Sequence, residues 1–70
     1  MQNRIKDIRH ELGLTQNDFA DLVKLSRSSI ALLETQRMNL TVSNAAQIAR
    51  FITLDTGRKT SWHELFEDGE

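Results

Sequence analysis

Seventy residues without cysteine make one small domain, 1–70, that has neither disulfides nor thiolate metal sites to hold it together. No apolar run nears the length that crosses a bilayer and no basic start leads into an apolar stretch, so the expected location is cytoplasmic, off the membrane. The formal charge of -1 argues at first against a phosphate-binding protein, but Glu64, Glu67, Asp68 and Glu70 crowd the end of the chain, while positions 1–60 hold nine basic and six acidic side chains. That acidic end reads as a solvated, frayed tail.

The first predicted helix runs from about Asn3 to Leu12, with Ile5, Ile8 and Leu12 on one face. Gly13 ends it, as a residue that tolerates the left-handed conformation. Thr15 caps a second helix, about Gln16 to Val23, with Asp18 completing an approximate capping box and Phe19, Ala20 and Val23 forming the apolar stripe. Lys24-Leu25 breaks that period. Ser26 then caps a third helix, about Arg27 to Glu34, with Ile30 and Leu33 inward. Two helices this short bury little alone. They make sense as a helix-turn-helix over about residues 16–34, in which small Ala20 permits close approach and Ile30 fills the space between them.

A polar segment, Thr35 to Leu40, leads to a fourth helix, capped by Thr41 or Ser43 and ending near Ile52. Val42, Ala45, Ala49 and Ile52 give its apolar stripe, widened by Ala46 and Ile48. Thr53 to Thr60 reads as a polar link. A short fifth helix, about Trp62 to Phe66, is capped by Ser61 with Glu64 in capping-box position. The expected fold is therefore all-α, five helices and no strands.

The order Gln16, Ala20, Leu25, Ile30, Leu33, with IKDIRHELGLTQ before it and NAAQIARFI after it, resembles the phage lambda repressor, Cro and Xre-like regulators. The resemblance runs without a gap from about Ile5 to Ile52. It implies a lambda-repressor-like DNA-binding domain whose third helix enters the major groove of duplex DNA. It further implies a transcriptional regulator, expected to be a repressor, that acts as a homodimer on a palindromic operator with neither cofactor nor catalysis. Three departures from the family pattern concern loop geometry: Lys24 and Gln36 replace common glycines and Leu40 a common proline. The long link is a fourth. It is a tolerated surface insertion, or Arg58 and Lys59 reach a phosphate or a partner.

Candidate contacts follow. At 100° per residue, Ser28, Ala31, Leu32 and Thr35 face away from Ile30 and Leu33, with Arg27 and Ser29 on the flanks. Ser26, Arg27 and Ser28 stand at the end of the helix that meets bases. Arg27 suits guanine O6 and N7, or a phosphate; Ser26 is a cap in any case. Leu32 reads thymine methyl groups, joins a protein-binding patch, or belongs to the core on a shifted helical phase. The resemblance places Gln16 near phosphate and base, and puts Arg37 and Asn39 where relatives touch the backbone; an ordinary polar loop is the alternative for the last two. It also pairs Arg9 with Glu34 as a structural ion pair. Trp62, Leu65 and Phe66 are expected at a dimer interface, unless Trp62 and Phe66 close the monomer's own core.

Enzyme chemistry finds little support. His10 and His63 are far apart in sequence, and there is no metal-ligand cluster, nucleophile motif or phosphate-cradling glycine loop. The rival to a DNA-binding reading is a protein-interaction module on the same fold, such as an antitoxin or regulatory adaptor, motivated by the overall acidity and the outward Ala31 and Leu32.

Overall fold

The computed structural model of the protein describes residues 3–66. They form four α-helices, α1 (Ile5–Leu12), α2 (Gln16–Val23), α3 (Arg27–Glu34) and α4 (Val42–Thr56), followed by one 3-10 turn, Trp62–Leu65. The fifth helix expected from sequence is thus a single 3-10 turn, too short for α-helical hydrogen bonding to repeat. Among the described residues no helix is long and apolar enough to cross a membrane. The acidic tail residues Glu67, Asp68 and Glu70 lie outside the described residues.

The first three helices end in one way. Gly13, Lys24 and Gln36 take left-handed backbones, with φ of 71°, 63° and 62°. The next N–H in each case reaches five residues back: Leu14 to the Arg9 carbonyl (3.2 Å), Leu25 to Ala20 (3.1 Å) and Arg37 to Leu32 (2.9 Å). These bonds satisfy carbonyls that a helix end would otherwise leave open. Two of the three left-handed residues are not glycine, a conformation that costs an L-residue roughly 1–2 kcal/mol. Replacing Lys24 with glycine is therefore expected to stabilise the domain by about 0.5–1 kcal/mol, after discounting glycine's greater unfolded freedom. Thermal unfolding checks this; a lower midpoint would mean that the Lys24 side chain, whose ammonium stands 6.0 Å from the Phe51 ring centre, contributes more than the strain removes.

The starts of the helices are as regular. Thr15, Ser26 and Thr41 hydroxyls accept from the N–H groups of Asp18 (3.1 Å), Ser29 (3.0 Å) and Asn44 (3.1 Å). Helix α1 differs. It begins at Ile5, two residues later than its periodicity suggests, because Asn3 turns its side chain to other work: its Oδ1 accepts from the Ile5 N–H and its Nδ2 donates to the Leu33 carbonyl at the end of α3 (2.9 Å).

One core joins every element. Ile5 and Ile8 from α1, Phe19, Ala20 and Val23 from α2, Ile30 and Leu33 from α3, Leu40, then Ala45, Ile48, Ala49 and Ile52 from α4, and Leu65 from the 3-10 turn are all buried. Two members of the expected α4 stripe fall outside it. Val42, the first residue of the helix, is 56% exposed, and Ala46 is exposed as well. Helix α4 also runs four residues past Ile52. Thr53 and Thr56 bond their hydroxyls to the Ala49 and Ile52 carbonyls (3.0 and 2.6 Å), so polar β-branched residues that read as a link are satisfied within the helix, which stops at left-handed Gly57.

The true link is Gly57 to Ser61, and it is held down. Thr60 exchanges hydrogen bonds with Thr53, accepting from its hydroxyl at the carbonyl (3.2 Å) and donating back from its N–H (3.0 Å). Arg58 donates to Glu11 of α1 (2.8 Å), to Glu64 (3.4 Å) and to the Thr60 hydroxyl (2.8 Å). Its guanidinium ties the link to the body of the domain, in place of the alternative reading in which Arg58 reaches a phosphate or a partner. Glu64 accepts from the Ser61 N–H (3.1 Å); that bond, and after it the Arg58 charge, hold its carboxyl below the usual range.

The turn that follows seats Leu65 in the core at 0% exposure, with half-buried Trp62 and Phe66 packed around it. The Arg4 N–H donates to the Leu65 carbonyl (2.8 Å), and Asn3 bridges Phe66, so the two ends of the described chain are joined. Of the three residues expected at a dimer interface, Leu65 lies inside, whereas Trp62 and Phe66 keep part of their surface open. Leu65 is spent on the monomer's own core, and Trp62 and Phe66 stack edge to face over it at 6.0 Å rather than standing free.

Candidate nucleic-acid interface

Helices α2 and α3 face each other across the turn Lys24-Leu25-Ser26. The turn is fixed from outside as well: Gln47 of α4 donates to the Val23 and Lys24 carbonyls (2.9 and 3.4 Å). Its position off the α4 stripe gave no hint of that role. Ile30 and Leu33, both fully buried, bind α3 to the body from below.

The polar lock at the other end of α3 is an ion pair. Arg9 places Nε 2.7 Å from Glu34 Oε2 and Nη2 3.0 Å from Oε1, a two-bonded fork. A third donor, Nη1, reaches the Leu14 carbonyl (2.9 Å). The side chains are 11% and 3% exposed. Burial works against the Glu34 carboxylate, but hydrogen bonds from Arg9 and Gln16 and the Arg9 charge outweigh it and hold its pKa below the ordinary range. Gln16 supplies its bond from Nε2 to Glu34 Oε1 at 3.1 Å. A residue expected at phosphate or base therefore spends its amide on the inner lock, and couples the start of α2 to the end of α3.

The outer face of α3 is open. Arg27, Ser28, Leu32 and Thr35 are exposed, Ser29 and Ala31 half-exposed. At 40% exposure Leu32 points outward, which removes the core alternative for it. Ser26 uses its hydroxyl twice, accepting from the Ser29 N–H and donating to the Ser29 hydroxyl (2.9 Å), so its one donor is spent at the cap. Thr35 folds its hydroxyl back onto the Ala31 and Leu32 carbonyls (2.9 and 3.3 Å). Among the described residues neither Arg27 nor Arg37 takes part in an ion pair. Ser26, Arg27 and Ser28 stand together at the start of α3. Arg37 and Asn39, both exposed, follow its other end, about 12 Å further along an eight-residue helix. Gln16 is brought to that second end through Glu34.

Two short helices set by a three-residue turn, the second locked on one face and bare on the other, are what a Helix-turn-helix family model describes, and that model matches residues 5–57. The chain belongs to the Cro- and repressor-type, Xre-like helix-turn-helix family. The matched span opens at the first residue of α1 and closes at the glycine that ends α4, so the 3-10 turn lies beyond it. Comparison with curated proteins and with solved structures gives no match. Membership makes the chain a helix-turn-helix domain of a DNA-binding, regulatory family that is typically not enzymatic.

Proposed function

We propose that this helix-turn-helix protein binds duplex DNA at a specific sequence with α3 in the major groove, and represses transcription by occupying a promoter. The observation that carries the reading is the asymmetry of α3. Its inner face is fixed by Ile30, Leu33 and the Glu34–Arg9–Gln16 lock, while its first turn presents Arg27 and Ser28 with no partner among the described residues. Its one carboxylate is neutralised by Arg9, so the exposed surface of α3 carries positive charge only. The N-terminal residues of a recognition helix are those that reach base edges. Arg37 and Asn39 flank the far end, where backbone contacts that fix orientation would fall.

The fuller form of the proposal is a homodimer on a palindromic operator, with two α3 helices about one DNA turn apart, roughly 34 Å. The half-buried edges of Trp62 and Phe66, and Leu54 at 66% exposure, leave apolar surface in the C-terminal third for a second copy. Selection of bound sequences from a random duplex library tests the reading: a single enriched motif with two inverted halves is expected, and no enrichment would overturn it. Against the selected operator, Arg27→Ala should lose on the order of 1–3 kcal/mol and relax the requirement at one base position, leaving the fold intact. Binding profiles over single-base variants read this out. An even loss at all positions would reassign Arg27 to a phosphate.

A further inference from the structure

The outer face of α3 changes character one turn in. Among the described residues Arg27 and Ser28 are its exposed polar side chains without a hydrogen bond, whereas the Ser26, Ser29 and Thr35 hydroxyls each take part in one within the helix or its cap. Beyond them the same face offers Ala31 and Leu32. Leu32 is the one large apolar side chain of α3 left out of the core, at 40% exposure where Ile30 and Leu33 have none. It is neither in the core nor among the half-buried apolar side chains packed against it, and it lies directly over Ser28, four residues on.

Resting on the DNA-binding reading above, we infer that Leu32 is a specificity residue that reads the 5-methyl group of a thymine in each half-site. The floor of the major groove presents donors and acceptors at every base pair and one apolar feature, the thymine C5-methyl. A leucine pressed on guanine O6, adenine N6 or cytosine N4 strips water from a polar group and returns no hydrogen bond. Pressed on the methyl, it removes water from two apolar surfaces at once. The position along the helix sets the register. Leu32 stands about 7 Å beyond Arg27 on the axis of α3, which places the thymine roughly one to three base pairs from the base that Arg27 contacts. A half-site that needs both a guanine and a neighbouring thymine follows from these two side chains.

The test removes the methyl and nothing else. In the selected operator each thymine is replaced in turn by deoxyuridine, which keeps every hydrogen-bonding group, and affinity is measured for the full chain and for Leu32→Ala. The wild-type protein should lose roughly three- to tenfold in affinity at one thymine per half-site, and Leu32→Ala should bind the thymine and uracil operators alike. Insensitivity of the wild type at every thymine would overturn the inference, with or without the variant. So would a Leu32→Ala protein that keeps the full discrimination. A library selection that enriches no sequence is a different failure: it removes the DNA-binding reading beneath, and Leu32 then belongs to a protein-facing patch.

Discussion

Replacing Arg9 with alanine should cost the domain about 3 kcal/mol, because removing one partner of a buried pair leaves the other charged and unsatisfied. Glu34 is 3% exposed and would keep only the single bond from Gln16. The Leu14 carbonyl would lose its donor as well. A domain this small holds on the order of 5 kcal/mol in all, so Arg9→Ala should sit near the edge of folding at body temperature. The loss should couple to position 34. In a double-mutant cycle with Glu34→Gln, read by denaturant unfolding, the two changes should be far from additive; strict additivity would mean that the fork contributes nothing.

The same pair predicts a pH dependence. The folded pKa of Glu34 lies below its unfolded value of about 4.3. Its contribution is therefore complete above that value and is lost as the pH falls through the lower, folded one. Stability measured from neutral pH downward should fall below about pH 4 in the wild type, and less steeply in Glu34→Gln.

Leu65→Ala should cost roughly 2–5 kcal/mol, the range for emptying a fully buried leucine site. Deleting everything after Thr60 should do more, since it also takes away the cover of Trp62 and Phe66 and the carbonyl that holds Arg4. The truncated chain is expected to unfold. A truncated protein that stays helical and merely sediments as a smaller species would return these three side chains to a dimer interface. Circular dichroism together with sedimentation separates the two outcomes.

These elements show how far local signals reach. Caps and left-handed stops were legible because their chemistry acts within three or four residues: Thr15 and Ser26 mark the starts of α2 and α3, and Gly13 marks the end of α1. The turn at Lys24 was legible only as a break in period that the family resemblance located. Long-range polar bonds were not legible. Asn3 on the Leu33 carbonyl, Gln47 on the end of α2 and Arg58 on Glu11 join positions 30, 24 and 47 residues apart, and nothing in their own neighbourhoods signals the partner. The misread end of α4 has a local cause. Thr53, Asp55 and Thr56 are poor helix formers, yet the helix runs through them, with the threonine hydroxyls satisfied on carbonyls one turn back and Thr53 tied to Thr60. In the candidate site, helical phase turned Ser28 outward and put Arg27 on the flank, but it left Leu32 open between surface and core, and the exposure of Leu32 and the diversion of Gln16 onto Glu34 needed the three-dimensional structure.

The central claim is that α3 lies in the major groove and reads bases from its first turn. Methylation interference on the selected operator addresses it at single-atom level, since dimethyl sulfate marks guanine N7 in the major groove and adenine N3 in the minor. Methylation at guanine N7 within each half-site should block binding, methylation at adenine N3 should not, and Arg27→Ala should lose sensitivity at one guanine per half-site. Interference confined to adenine N3, or a pattern unchanged by Arg27→Ala, would contradict the account.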